Sequence, residues 1–397
     1  MTTRRSNSQK SRRRPSSGNR SGISRPNSNR KIRYAIVGLG HIAQVAVLPG
    51  FRGAKNSELT AIVSGDVQKL KSVARKYRVG RDQVFSYEEY DRALSSVDAV
   101  YIALPNHLHK EYAVRAANAG VHVICEKPMA VTRGECEAMI DAANRNHIKL
   151  MIAYRLHFER ANLEAVRLAT NGKLGDVRIF ASEFTQNVAG GNVRVTEPVE
   201  RGGGALYDMG VYCINATRYL FRDEPLSVFA VTANNDEKRF NKVEEMISVI
   251  MKFPEERLAT FTCSFGAADV SRYVLIGTKG TLTADPAYDY SMGLKHQIII
   301  GEKTTTKKFP KRDQFAAQIM YFSDCVLKNK EPEPSGLEGL ADVAIVEAIY
   351  ESARTGRTTE LEDLPAKRKP TLQQEIHRPA HRTPGTVKTK SPSGEVA

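Results

Sequence analysis

A lysine held between an acid and a proline could take part in proton transfer. Lys127 lies between Glu126 and Pro128, directly after the apolar run VHVIC (121–125), which is typical of a buried strand. Proline disfavours helical backbone in the preceding residue, so Lys127 is held extended at the strand's end. A lysine in a partly dry cleft can stabilise a developing alkoxide, which predicts acid–base chemistry. The alternative is a surface ion pair with Glu126 or Glu135.

Asp208 and Tyr212 lie four residues apart in GGGALYDMGVYCINATRYLF (202–221), a stretch apolar enough to predict a buried helix. Their spacing, and that of Asn215, places all three side chains on one face. Buried polar groups must be hydrogen-bonded, and a cleft where a substrate binds would supply the partners of these side chains. The alternative is a network of hydrogen bonds within the protein, without a substrate. An aspartate and a tyrosine facing Lys127 would form a proton-transfer set.

A glycine-containing turn predicts a dinucleotide site. The short apolar strand 34–37 runs into Gly-Leu-Gly-His-Ile-Ala, and a helix follows, which is the setting that the pattern G-x-G-x-x-A requires. Two glycines allow a tight turn and the approach of a pyrophosphate, and Ala43 lets the helix pack close to the strand. Free N–H groups at the helix start would bind the phosphates. The expected contacts are Gly38, Leu39, Gly40, His41 and Ile42.

Strands and helices alternate up to about residue 153, which predicts a parallel, doubly wound Rossmann sheet over 32–153. Ligands of such sheets lie beyond the carboxyl ends of the strands. Several polar or small residues fall at these ends, near the glycine turn. Together they are stronger evidence for a ligand site than any single motif. They are Ser64, Gly65, Leu104, Pro105, Asn106, Glu126 and Lys127.

The end of the second strand predicts which nicotinamide cofactor is bound. NAD sites usually have Asp or Glu there, whereas this chain has Ser64-Gly65. A small hydroxyl leaves room for a 2′-phosphate, and Lys69 could reach it from the next helical turn, so we expect NADP. If the strand ends two residues later, Asp66 becomes the ribose acid and the cofactor is NAD.

The pattern changes at about residue 154. Strand-like runs with few helices predict an α+β domain over 154–358 with a large, mostly antiparallel sheet, and two amphipathic helices follow near its end. Tyr288 and Tyr290 lie between two of these runs. They could contact a sugar, or could belong to an ordinary packed hairpin tip.

The net charge of +15 is concentrated at the chain ends. Residues 1–31 contain eight arginines, two lysines and no acid, and both this segment and residues 359–397 are predicted to be disordered. Nucleic-acid binding is therefore not expected, apart from non-specific contact by the basic tail.

The cysteines, the histidines and the distribution of apolar residues predict a cytoplasmic protein without a bound metal. The five cysteines form no C-x-x-C pair, and no export signal or membrane-spanning apolar run is present. His107 and His109 lack a third metal ligand in sequence. A loop–helix junction beside the cofactor explains them better, and His109 is predicted to contact the cofactor.

Four motifs together resemble the glucose–fructose oxidoreductase family (Gfo/Idh/MocA) over roughly residues 32–358. They are the glycine turn, Ala-Leu-Pro-Asn-x-x-His (103–109), Glu-Lys-Pro (126–128) and Asp-Met-Gly-Val-Tyr (208–212). Many members have histidine at the last position. Tyrosine there is similar to the glucose–fructose and aldose–aldose oxidoreductase branch.

The resemblance implies roles for individual residues. Lys127 and Tyr212 would handle the proton of a sugar hydroxyl, and Asp208 would orient the substrate. Ser64 and Lys69 would hold the 2′-phosphate, and Arg155 and Arg194 would lie near the nicotinamide or the sugar. The family also implies an open sheet that forms the interface of a homo-oligomer, a dimer or a tetramer.

These observations together predict an NADP-dependent sugar oxidoreductase that transfers hydride between C1 of an aldose and nicotinamide. The product is a lactone, formed either by simple dehydrogenation or coupled to reduction of a second sugar on the bound cofactor. One alternative is an NAD(P)-dependent dehydrogenase of another cyclic alcohol or diol. The other is a catalytically idle, cofactor-sensing regulatory protein.

Overall fold

The first sheet is formed by six apolar segments that pair in parallel. The computed structural model describes residues 1–2, 30–365, 369–389 and 391–392. Its first six strands are ordered β3-β2-β1-β4-β5-β6, which confirms the doubly wound Rossmann sheet. The strands are Ile32–Val37 (β1), Ser57–Val63 (β2), Val84–Phe85 (β3), Ala99–Ile102 (β4), His122–Cys125 (β5) and Leu150–Ile152 (β6).

Both faces of this sheet are buried under helices. This is seen in β1, whose alternate residues pack into two different core clusters. Tyr34 and Ile36 belong to one cluster, and Ala35 and Val37 to the other. The α-helices of the chain are Leu48–Gly50, Val67–Tyr77, Tyr90–Leu94, His109–Asn118, Arg133–Arg145, Arg160–Thr170, Val193–Thr196, Val211–Phe221, Gln314–Leu327 and Gly336–Thr355. Ala43–Val47 and Leu206–Gly210 are π-helical, and Arg81–Gln83, Asn106–Leu108, Arg155–Phe158, Val199–Arg201, Lys238–Phe240, Pro254–Glu256 and Leu372–Gln374 are 3₁₀-helical.

The second sheet has nine strands in the order β14-β13-β12-β11-β7-β10-β9-β8-β15. Among its described strands only β7 and β10 pair in parallel, so the predicted mostly antiparallel sheet is confirmed. Its inner face packs on the helix Val211–Phe221, with Phe261, Leu275 and Ile214 in one core cluster. The strands are Val177–Thr185 (β7), Ser227–Ala233 (β8), Met246–Phe253 (β9), Arg257–Ser264 (β10), Val270–Gly277 (β11), Gly280–Ala284 (β12), Leu294–Ile300 (β13), Lys303–Phe309 (β14) and Thr359–Glu360 (β15).

The described residues 359–365, 369–389 and 391–392 differ from the prediction of disorder over residues 359–397, and the rest of that range lies outside the described residues. Thr359 and Glu360 pair with β8, and Glu375 forms ion pairs with Arg160 and Arg312. Backbone pairing and ion pairs hold this segment, and the partly buried Leu361, Leu364 and Ile376 pack against the core clusters. The partners of these residues lie elsewhere in the chain, so local composition did not reveal the segment.

The other boundaries stay predictions. Residues 3–29, which make up most of the predicted basic tail, lie outside the described residues, and the domain boundary at 153/154 is not tested. Within the described part of the chain, no helix combines the length and the hydropathy needed to cross a membrane.

Candidate active site

The glycine turn after β1 has the shape that a dinucleotide requires. Gly38 has φ = +95°, and a Cβ atom there would lie 2.4 Å from the carbonyl oxygen of Ala103. Beside Gly40 the space is open, since an added Cβ would meet nothing within 4 Å. The Nδ1 atom of His41 is buried without a hydrogen-bond partner among the described residues, and burial together with the charge of Arg194 lowers its pKa. Open space beside an unpaired polar atom fits a bound pyrophosphate.

The turn after β2 differs in detail from the prediction. The strand ends at Val63, as the NADP interpretation requires, but Ser64 is only 4% exposed and its Oγ accepts a hydrogen bond from Asp66 N (3.3 Å). Asp66 caps the next helix, where Oδ1 accepts from the backbone N–H groups of Gln68 (2.9 Å) and Lys69 (3.0 Å). Ser64 therefore shapes the turn, and the half-buried Lys69 is left as the cation beside it.

His109 is buried and does not reach a cofactor, which corrects the predicted contact. Its side chain is 0% exposed, and its ring nitrogens lie 2.9 Å from the carbonyl oxygens of Pro128 and Leu104. The ring thus ties together two loops that flank the site. Asn106 makes a third link, donating from Nδ2 to the carbonyl oxygen of Gly202 (2.7 Å).

Lys127 points into the site and not at a surface acid. Its Nζ donates to the backbone oxygen (2.8 Å) and to Oδ1 (3.1 Å) of Asp208, and lies 4.7 Å from the centre of the Tyr212 ring. Glu126 instead accepts a hydrogen bond from Tyr101, and Glu135 pairs with Lys110. The alternative of a surface ion pair is therefore wrong.

Asp208 is shared by two cations. Lys127 contacts Oδ1, and Nε of Arg194 lies 2.9 Å from Oδ2. Burial alone would raise the pKa of Asp208, but Arg194 and Lys127 outweigh it and lower the pKa below its ordinary value. The carboxylate therefore stays ionised at neutral pH and can accept hydrogen bonds only.

Tyr212 lies between Lys127 and Arg155. The Nη2 atom of Arg155 donates to the phenol oxygen at 3.3 Å, and its guanidinium carbon lies 5.2 Å from the ring centre. Arg155 is itself buried and held by the Gln314 side chain and the Tyr288 carbonyl. Two positioned cations can stabilise negative charge on the phenol oxygen when a proton is passed to or from it.

Asn215 does not share the site with Asp208 and Tyr212, contrary to the predicted common face. Its Nδ2 donates to Glu338 (3.0 Å) and Asp342 (2.8 Å), and Oδ1 faces His157 (2.7 Å). Asn215 follows Tyr212 by three residues in the α-helix Val211–Phe221 and faces the helix Gly336–Thr355, whereas Tyr212 faces Lys127. The wider π-helical turn Leu206–Gly210 also changes the position of Asp208 relative to both.

Sequence reasoning missed Tyr101, Gln314 and Gln318, and it left the role of Tyr290 open. Gln318 donates to the hydroxyl of Tyr101 (2.7 Å), which donates to Glu126 (2.6 Å), and burial raises the pKa of that acid. Two glutamines four residues apart, 314 and 318, in an otherwise apolar helix were the available signal. Tyr290 packs on Arg155 at 5.1 Å.

The fold and the site define a two-sheet oxidoreductase with a dinucleotide-binding half, and comparison with known proteins gives its family. A model described as "Oxidoreductase family, NAD-binding Rossmann fold" matches residues 32–154, and the GFO/IDH/MocA C-terminal domain matches residues 162–283. The chain belongs to the Gfo/Idh/MocA family of oxidoreductases, which confirms the resemblance. No group of three potential metal ligands occurs among the residues that the structure describes.

Two similar proteins illustrate the family by sequence. The uncharacterized oxidoreductase ORF334 of Rhizobium meliloti is 32% identical over 335 residues, which cover 82% of this chain and 98% of the relative. D-xylose 1-dehydrogenase [NADP(+)] of Haloarcula marismortui is 30% identical and covers 83% of this chain and 93% of the relative.

Two solved structures are similar to the whole fold. Aldose–aldose oxidoreductase from Caulobacter crescentus, complexed with glycerol, has a TM-score of 0.80 at 38% identity, covering 84% of this chain and 100% of the other. A 3-ketoreductase from Actinomadura kijaniata, in complex with NADP and TDP-benzene, has a TM-score of 0.73 at 26% identity, covering 81% and 98%.

Proposed function

We propose that the protein is an NADP-dependent sugar oxidoreductase that transfers hydride between C1 of an aldose and nicotinamide, with a lactone as the oxidised product. The observation that carries this proposal is the placement of the Tyr212 phenol between Lys127 and Arg155, next to the ionised Asp208. Bound NADP would supply the hydride acceptor. The phenolate form of a tyrosine between two cations can remove the proton of a neutral alcohol.

Different residues of the chain transfer the proton and orient the substrate. The phenolate form of Tyr212 accepts the proton of the sugar hydroxyl as hydride leaves C1, and Lys127 and Arg155 stabilise the negative charge that this oxygen carries before the transfer. Asp208, held between Lys127 and Arg194, accepts a hydrogen bond from a second hydroxyl and thereby orients the ring. Gln314 fixes Arg155 and so acts only through it.

The cofactor assignment rests on the turns after β1 and β2. The turn 38–42 would hold the pyrophosphate, and Lys69 would bind the 2′-phosphate, while the acid at position 66 is occupied as a helix cap. NADP is further supported by the names of the Haloarcula relative and of the Actinomadura complex, which both contain this cofactor.

The substrate class rests on the same relatives, since one is named a D-xylose 1-dehydrogenase and another an aldose–aldose oxidoreductase. A dehydrogenase of a cyclic diol stays as the second candidate. Human trans-1,2-dihydrobenzene-1,2-diol dehydrogenase is 30% identical over 254 residues, or 63% of this chain.

The test is a substrate panel with purified full-length protein. Xylose, glucose, galactose and the dihydrobenzene diol are each supplied with NADP⁺ or NAD⁺, while reduced nicotinamide is followed by absorbance and the product by NMR. We expect turnover with at least one aldose, a lactone product and a preference for NADP⁺. Turnover with the diol alone would establish the second candidate, and cofactor binding without any turnover would establish an idle sensor.

A further inference from the structure

The segment 376–389, called here the C-terminal strap, lies along the nucleotide-binding half of the molecule. The backbone oxygen of Arg378 accepts a hydrogen bond from Asp313 N (3.1 Å), and His381 Nδ1 lies 3.1 Å from the Asp313 carboxylate. Further along, Lys76 donates from Nζ to the carbonyl oxygen of Gly385 (2.8 Å). These contacts lead the strap along the helix Val67–Tyr77 towards the carboxyl end of β2.

Gln44 binds the strap to the glycine turn. This side chain is only 4% exposed; Oε1 accepts from Val387 N (2.8 Å), and Nε2 donates to Val387 O (3.0 Å) and to Leu39 O (2.9 Å). A buried amide whose donor and acceptor both bind one residue fixes that residue's position. Because Leu39 belongs to the predicted pyrophosphate turn, the strap and the cofactor site share one side chain.

Lys388, the next residue, stands at the turn after β2. Its Nζ lies 3.4 Å from Oδ2 of Asp66, whose other oxygen caps the helix, and its side chain is 49% exposed. An exposed ion pair contributes little to stability, so this pair does not by itself explain the strap's position. It does cancel an acid that would repel a phosphate, and it leaves a half-exposed ammonium group at the turn that precedes the helix carrying Lys69.

We propose that the C-terminal strap is part of the cofactor site and that Lys388 binds the 2′-phosphate of NADP, an inference that rests on the proposed function. Lys388 and Lys69 would then hold the phosphate from two different segments of the chain. Two cations, one of them neutralising Asp66, favour NADP over NAD at a turn that carries an acid.

Beyond the strap, Pro392 contacts the segment that leads to Arg194. The carbonyl oxygen of Pro392 accepts from Ala189 N (3.0 Å), and Asn192, three residues further, caps the short helix that carries Arg194. Val387 and Pro392 thus contact, respectively, the side chain that binds the glycine turn and the segment that precedes Arg194, which contacts Asp208.

The experiment measures binding without catalysis. NADPH and NADH are titrated by fluorescence against the wild type, Lys388→Ala and Arg382→Ala, and adenosine 2′,5′-bisphosphate is compared with AMP as a displacing ligand. Arg382 is an exposed cation in the same strap and serves as the control. We expect Lys388→Ala to weaken NADPH and the bisphosphate by about three- to tenfold, with NADH and AMP unchanged and Arg382→Ala like the wild type.

Truncation after residue 375 is the second variant, and it should weaken NADPH at least as much as Lys388→Ala. Equal NADPH affinity in the wild type and Lys388→Ala would overturn the inference while the proposed function stands. Equal loss of NADH and NADPH in Lys388→Ala would overturn the 2′-phosphate contact. Binding of NADPH with the expected Lys388 effect, but no aldose oxidation by the wild type, would overturn the proposed function alone.

Discussion

The ammonium group of Lys127 lies 3.1 Å from the Oδ1 atom of Asp208, and these two residues belong to parts of the fold that are built on different sheets. Lys127 follows β5 of the parallel sheet, and Asp208 lies in the π-helical turn that packs against the second sheet. The proposed site is therefore assembled only when both halves are folded together.

The first prediction concerns the proton acceptor. Tyr212→Phe removes the phenol oxygen but keeps the ring that contacts Lys127, so we expect kcat for aldose oxidation to fall by about 10²–10⁴ with NADPH affinity retained. Tyr290→Phe is the matched control, because this ring packs on the same Arg155. Unchanged turnover in Tyr212→Phe would exclude Tyr212 as the base.

The second prediction concerns the lysine. Lys127→Met leaves Asp208 with Arg194 as its remaining cation and removes the charge next to the phenol, so kcat should fall by about 10² or more. Loss of a hydrogen bond to a partly buried carboxylate should also lower the free energy of unfolding, by about 1–3 kcal/mol. Steady-state kinetics and urea unfolding check the two effects, and Lys110→Met, which removes an exposed ion pair, should change neither.

The third prediction concerns stability and pH. Glu338 is 1% exposed beside Arg218 and Asp342, and burial raises its pKa to about 7 although Arg218 opposes the shift. Between its ordinary pKa of 4.5 and about 7 the folded protein binds a proton that the unfolded chain loses, so this contribution to stability is lost as pH rises. The glutamine of Glu338→Gln is neutral at every pH, so the variant does not lose stability in this way.

We therefore expect Glu338→Gln to gain stability relative to the wild type as pH rises through this window, by up to about 3 kcal/mol. Urea unfolding at several pH values measures it, with the exposed Glu302→Gln as control. A difference between Glu338→Gln and the wild type that does not vary with pH would contradict the assignment.

The fourth prediction concerns the proposed homo-oligomer. The outer face of the second sheet exposes aliphatic side chains on neighbouring strands, among them Ile179 (42%), Ile250 (47%) and Leu258 (46%). Apolar faces of this kind mark interaction surfaces, and we expect a second copy of the chain to cover this one. Ile250→Lys should therefore yield monomers in light scattering, whereas Met292→Lys, at an exposed loop, should not. An unchanged mass in Ile250→Lys would place the interface elsewhere.

The sequence predicted those parts of the fold and site that depend on local pattern. The Rossmann strands, the glycine turn and the extended Lys127 each follow from a few neighbouring residues, because periodicity, glycine and proline act over short distances. The placement of Asn215 was wrong, because its partners lie on the distant helix Gly336–Thr355 and because the π-helical turn changes the position of Asp208 relative to it without a sequence signal that periodicity detects.

Contacts between segments that are distant in sequence could not be predicted from such local patterns. Arg155 is held by Gln314, which lies 159 residues away, and the strap is bound by Gln44 at a separation of 343 residues. Polar side chains in a low-hydropathy segment predict disorder, and only their partners elsewhere in the chain reveal that Glu375 and Val387 are fixed.

Transfer of isotope from the sugar to the cofactor tests the central claim most directly. The wild type is mixed with NADP⁺ and an aldose that carries deuterium at C1, and the reduced nicotinamide is examined by NMR. The account predicts deuterium at C4 of the nicotinamide together with an unlabelled lactone. Reduction of NADP⁺ with the deuterium still on the sugar, or no reduction with any aldose of the panel, would contradict it.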